Sequence, residues 1–94
     1  MRVRWTRKAI RAVYAIAKYI ERDRPMAAAR IVDHIYESVG QLATHPALGR
    51  PGRARGTREL IISGTPFIVP YRVQEDVVEI MTVFHAAQKW PDRF

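Results

Sequence analysis

The residues best equipped for chemistry are one histidine and a set of arginines. His85 ends a strand-like run in "VFHAAQKWP" (83–91). With an ordinary pKa of about 6.5, a histidine there can give or take a proton at neutral pH. Arg58 opens an earlier strand-like run, where a permanent cation suits developing phosphoryl charge. Chemistry on a phosphodiester needs a base, an acid and one or two cations converging on one phosphate. Arg58 and His85 supply part of that set. A third member is hard to find, because Ala86 and Ala87 follow His85 and the preceding loop offers only arginines, which cannot act as bases. In a regular strand Glu79 shares the face of His85, but six residues place it about 20 Å away. Glu59 adjoins Arg58 and so points to the opposite face. Besides acid–base chemistry, His85 has two other readings: a contact residue, or a strand-end histidine that bonds a backbone carbonyl and holds the tail.

The chain contains no cysteine, which excludes a disulfide, a thiol nucleophile and a thiolate metal site. His34 falls on the polar side of a helix, and His45 sits at a helix exit, where a C-terminal cap is the expected role. Histidines so placed, without HxH or HxxxH spacing, argue against a metal site, and no cofactor is expected.

Charge is the strongest compositional signal. Sixteen Lys and Arg against nine Asp and Glu give +7 and a pI near 10.6. That excess predicts an anionic partner, either RNA, DNA or an acidic protein. Four arginines (Arg50, Arg53, Arg55 and Arg58) crowd into "THPALGRPGRARGTR" (44–58). They could form a phosphate-binding strip, meet an acidic tail, or simply solvate a loop. Near the C-terminus, Lys89 and Trp90 could contact a partner, although a tryptophan there also serves as a packing anchor.

These side chains must be positioned by a small fold. At 94 residues the chain reads as one domain spanning 1–94, and a hydrophobic share of 48% argues against disorder. A domain of this size hides only about 60–65% of its unfolded surface, so the core is modest. No apolar run approaches the roughly 18 residues that span a bilayer, and "MRVRWTRK" has no h-region, so a cytoplasmic protein is expected. "VRW" (3–5) reads as a short strand. Ile10, Val13, Tyr14, Ala17 and Ile20 then form a helical stripe, with Thr6 as N-cap and Arg7, Arg11, Lys18 and Arg22 on an outer face. A second helix begins near Pro25, with the stripe Ala28, Ile31, Ile35, Val39 and Leu42. The short "DRP" joint makes the two helices an antiparallel hairpin.

After the long arginine-bearing connection come three strand-like runs, "RELIIS" (58–63), "FIVPYRV" (67–73) and "VVEIMTVFH" (77–85), joined as hairpins. Tyr71 shares parity with Phe67, Val69 and Val73 and is assigned to the core, which leaves Arg72 on the open face. Pro70 cannot donate to a ladder, so a bulge or a free edge is expected there. The fold class is α+β: an N-terminal strand and an antiparallel helical hairpin packed on an antiparallel sheet completed by three C-terminal strands.

That element order resembles the RelE/ParE superfamily of bacterial toxins. So do "LATHPALGR" leaving the second helix, the strand-opening Arg58, "PYRV", and "VFHAAQKWP" at the end. The likeness runs from Trp5 to Pro91 and is closer to the ParE branch. It implies a cognate antitoxin, a small acidic protein encoded adjacently, and one of two targets. ParE-like members poison DNA gyrase; RelE-like members cut mRNA on the ribosome. Cutting members tend to carry a tyrosine or lysines near the positions of His85 and the arginine loop, which this sequence lacks. The reading is therefore a toxin that inhibits growth by binding gyrase or a related topoisomerase, with an mRNA endoribonuclease using Arg58 and His85 as the alternative. A basic nucleic-acid-binding module without toxicity is a third class, for which no helix-turn-helix or aromatic stacking platform is visible.

Overall fold

The computed structural model describes residues 1–90, so Pro91, the last residue of "VFHAAQKWP", lies outside the described residues. In chain order the elements are β1 (Arg2–Trp5), α1 (Arg7–Glu21), α2 (Pro25–Gly40), a 3₁₀ turn (Gln41–Ala43), β2 (Arg50–Pro51), β3 (Arg58–Ile61), β4 (Phe67–Gln74), β5 (Val77–Ile80) and β6 (Phe84–His85). The sheet order is β1-β5-β4-β3-β2, and β6 also pairs with β4. The C-terminal strands are antiparallel, as the sequence predicts. β1 instead runs parallel to β5, which makes the sheet mixed. Parallel neighbours need a long crossover, and the helical hairpin begins one.

Thr6 starts α1 by accepting the Ala9 N–H at 3.1 Å, and its hydroxyl donates to the Ile80 carbonyl at 2.8 Å. One side chain thus caps the helix and pins it to the end of β5. Pro25 stands in the first turn of α2, where a missing N–H costs nothing. The predicted stripe of α2 holds: Ala28, Ile35, Val39 and Leu42 are buried, with Ile31 packed against the core. That of α1 is rotated. Ala9 and Val13 are buried and Ala12, Ile16 and Ile20 pack beside them, whereas Ile10 and Tyr14 are 48% and 64% exposed. Two apolar rows share Val13 and Ile20 on this helix. Periodicity cannot choose between them; the positions of α2 and the sheet do.

β4 is the central strand. Phe67, Val69 and Tyr71 face the helices with Leu60, Val78 and Ile80. Pro70 is buried at mid-strand, so the free-edge alternative does not apply. The irregularity sits in its neighbour. Tyr71 pairs with Ile80 and Phe67 with His85, so four steps along β4 are matched by five along the partner chain. One extra residue between Ile80 and Phe84 makes a β-bulge, which splits the strand predicted over 77–85 into β5 and β6. The Pro70 carbonyl accepts the Met81 N–H at 3.0 Å, so the proline nitrogen faces this flank too, where the ladder is interrupted and asks for no donor.

The connection over 44–58 is not structureless. It contains β2, which pairs with β3, and it is tied to the core by Tyr71. The phenol donates to the Pro46 carbonyl at 2.7 Å and accepts the Gly49 N–H at 2.8 Å. At the β4–β5 turn, Glu75 and Asp76 both take positive φ, 51° and 62°, as a two-residue hairpin matching strand twist requires.

Candidate functional site

His85 pairs with Phe67 and therefore lies on the helix-bearing face. Their rings meet edge to face, 5.7 Å between centroids. Nδ1 accepts the Ala87 N–H at 3.1 Å, which places the proton of the neutral ring on Nε2. The Gln88 side chain accepts the His85 N–H, and the Gln88 N–H donates to the His85 carbonyl at 2.9 Å, so this residue organises the turn that starts the tail. Its ring also lines a 640 Å³ groove with Tyr19, Ile20, Ala27, Ile31 and Phe67, and the charged residues in that lining are Asp23 and Arg24. The groove is largely apolar and lies where the turn of the helical hairpin meets the sheet.

Arg58 pairs with Tyr71 across β3–β4, on the same face. Its guanidinium donates to the Gly49 carbonyl at 2.8 Å and more weakly to that of Ala47 at 3.4 Å. It therefore holds the loop that Tyr71 also holds. Burial pushes the Tyr71 phenol above its ordinary 10.0, against the opposing pull of the Gly49 N–H and the Arg58 charge, and so keeps it a donor to Pro46. Arg58 and His85 do not converge. Their partners on β4 are four residues apart, about 13 Å, and β3 and β6 lie on opposite flanks of β4, about 10 Å apart.

Arg50, Arg53 and Arg72, together with Arg4, are shared between two carboxylates on the helix-free face. Glu59 points away from the core side of Arg58, as strand alternation predicts, and is 2% exposed. Arg50 donates to its Oε1 through Nε and Nη2 at 3.1 and 2.9 Å; Arg53 donates to Oε2 through its backbone N–H at 2.9 Å and Nε at 3.2 Å. Burial alone would raise this carboxyl. The Arg53 N–H and the two guanidinium groups outweigh burial and hold it below 4.5. Arg72 donates to Glu79 Oε1 at 2.7 Å and Arg4 pairs with the other oxygen. Glu79 thus faces away from His85, not with it: the bulge inverts parity between the two.

Trp90 packs on Phe84 with 4.4 Å between centroids, and the Arg53 guanidinium lies 3.5 Å from its ring centre. The tryptophan anchors the described end of the chain while serving as a cation–π platform. Arg55 and Lys89 are exposed. His34 Nε2 lies 2.7 Å from the Ser63 carbonyl and ties α2 to the β3–β4 turn. The cap at His45 is made by its backbone N–H, which donates to Gln41, rather than by its ring. Among the described residues no group of three or more His, Asp or Glu could hold a metal, and no helix is long and apolar enough to cross a membrane.

Sequence reasoning missed Arg4 and the lining of the groove. Arg4 matters because β1 lies beside β5, a pairing that carries no local signal. Tyr19 and Ala27 could have been suspected as apolar residues off the core stripes.

Known proteins agree with this architecture. The pattern that defines the ParE toxin of the type II toxin–antitoxin system parDE matches residues 3–90. The toxin-family protein Y4kP of Sinorhizobium fredii is 53% identical over 90 residues, covering 96% of this chain and 93% of its own length. Toxin RelE2 of Caulobacter vibrioides is 33% identical over 84 residues, covering 89% and 93%. A chain from the chromosomal ParDE system of P. aeruginosa superposes with a TM-score of 0.83 at 31% identity, over 90% of this chain and 95% of that one. The helical hairpin, the mixed sheet and these relatives lead to one assignment: the chain belongs to the ParE toxin family of type II toxin–antitoxin systems, within the RelE/ParE superfamily.

Proposed function

We propose that this toxin inhibits growth by occupying DNA gyrase or a related topoisomerase in the cytoplasm, and that a cognate acidic antitoxin encoded beside it keeps it silent. The observation that carries this reading is the position of Arg58. Its guanidinium is committed to the Gly49 and Ala47 carbonyls, far across β4 from His85. A ribonuclease needs its acid, base and cation on one phosphate. A binder needs only a stable surface.

The 640 Å³ groove suits the antitoxin: an amphipathic segment could set apolar side chains against Ile20, Ile31 and Phe67, with Arg24 and the loop arginines steering an acidic chain. The antitoxin's grip would then be mostly apolar. The second reading, mRNA cleavage, draws on the relative named RelE2, which shares a third of its residues with this chain.

One experiment separates the two. Purified toxin is added to a gyrase supercoiling reaction and, separately, to translating ribosomes. Stalled supercoiling with intact mRNA is expected. Codon-phased mRNA cuts that vanish in His85→Ala would overturn the topoisomerase reading and promote the endoribonuclease.

A further inference from the structure

The sheet face without helices carries the most regular charge pattern of the molecule. Strand pairing places Arg2 and Arg4 of β1, Glu79 of β5, Arg72 of β4, Glu59 of β3 and Arg50 of β2 on it together. Each carboxylate holds two arginines, Arg4 and Arg72 on Glu79, Arg50 and Arg53 on Glu59. The carboxylate side chains are shielded, 12% and 3% exposed, while the arginine side chains stand 47% to 59% exposed. Each trio therefore carries one net positive charge on guanidinium groups held in place from below. Arg72 bonds Glu79 through Nε, which leaves its terminal nitrogens for another acceptor. A polar hollow of 400 Å³ opens beside the first trio, lined by Arg2, Arg4, Gln74, Glu75, Val77 and Glu79. From the register, the two carboxylates lie about 12 Å apart, two strand spacings and two residues. That equals three to four nucleotide rises of roughly 3.4 Å on one strand.

We infer that this face binds the sugar–phosphate backbone of nucleic acid, specifically that of the duplex DNA a topoisomerase holds; the inference rests on the topoisomerase reading above. Guanidinium forks fixed in orientation match phosphate oxygens bidentately and lose little freedom on binding. An acidic protein is the competing occupant, but protein interfaces are built on apolar and aromatic cores depleted of charge. Around Arg4, Glu79 and Arg72 the exposed surface is charged and polar, as interfaces with DNA are.

The test uses purified full-length toxin and fluorescence anisotropy, with a labelled duplex of about 20 base pairs and a single-stranded RNA of equal length, across roughly 50–200 mM salt. The triple variant Arg4→Gln, Arg72→Gln, Glu79→Gln removes one trio and lowers net charge by one. Arg11→Gln on the outer face of α1 lowers it by the same amount. Loss of the trio should weaken duplex binding and reduce the salt slope by about two, one for each phosphate contact, while Arg11→Gln leaves both unchanged. Arg2→Gln, which breaks neither trio, should reduce the slope by about one and keeps the test valid if the triple variant melts early. Equal losses in the trio and Arg11 variants would reduce the effect to net charge and overturn the inference. So would tighter, trio-dependent binding of the RNA, or a loss confined to the antitoxin complex. Supercoiling assays run in parallel separate the two claims. A trio variant that still stalls gyrase fully sinks the DNA surface alone. Trio-dependent duplex binding by a native toxin that leaves gyrase untouched sinks the topoisomerase reading, and with it the topoisomerase as the source of the DNA, while the duplex-binding face stands.

Discussion

His85 stands edge-on to Phe67, 5.7 Å between ring centroids, on the face of the sheet that the helices cover. Without the extra residue between Ile80 and Phe84 it would point to the opposite face, the one that carries Glu79 and its two arginines. The bulge thus removes the histidine from the arginine face and gives it to the apolar groove.

That placement predicts the outcome of His85→Ala. The substitution removes the acceptor for the Ala87 N–H and one wall of the groove, and loosens the turn leading to Lys89 and Trp90. The toxin concentration that half-inhibits supercoiling should rise less than about tenfold, whereas loss of a general acid or base costs roughly 10²–10⁴-fold. A loss in the larger range would put His85 in a reaction.

Tyr71 and Gly49 should be a coupled stability site. Tyr71→Phe strands the Gly49 N–H and the Pro46 carbonyl, at a cost of about 1–3 kcal/mol in urea unfolding. In Gly49→Ala the new Cβ would sit 2.6 Å from a Tyr71 ring carbon and 2.9 Å from the Glu59 carbonyl oxygen. Its cost should match or exceed that of Tyr71→Phe, and an unchanged midpoint would show that the loop moves freely.

Glu59 sets an acid limit on stability. Its folded pKa is depressed, so its contribution is full above the ordinary value of 4.5 and is lost as pH falls through the lower folded value. Glu59→Gln should destabilise the toxin at neutral pH by about 1.5–3 kcal/mol, the worth of hydrogen bonds to a charged group. The gap between wild type and variant should close as the pH drops below that value. A gap that stays the same from neutral into acid pH, measured by urea titration, would mean the carboxylate form is not what matters.

The antitoxin should raise the melting temperature and soluble yield of the toxin on co-expression, because a ligand of the folded state adds RT ln(1 + [L]/Kd). With an apolar groove as the main grip, raising salt from about 0.1 to 1 M should slow association more than it speeds dissociation. Equal melting temperatures with and without the neighbouring protein would count against the pairing, and a complex that falls apart in high salt would count against the groove.

Elements defined by local patterns were legible in the sequence. The Thr6 cap, the Pro25 start, the stripe of α2 and the core parity of Phe67, Val69 and Tyr71 depend on residues a few positions apart, and caps and alternation act over that range. So did the opposition of Arg58 and Glu59, which are adjacent in the chain. Three things were decided only by tertiary structure. The exposed row of α1 depends on where α2 and the sheet lie, since Ile10 and Ile16 are equally apolar. The Arg4–Glu79–Arg72 trio depends on β1 docking beside β5 across more than seventy residues. The direction of His85 depends on a single unpaired residue at a proline-bearing ladder, and because side chains alternate with period two, one residue is enough to move it from one face to the other.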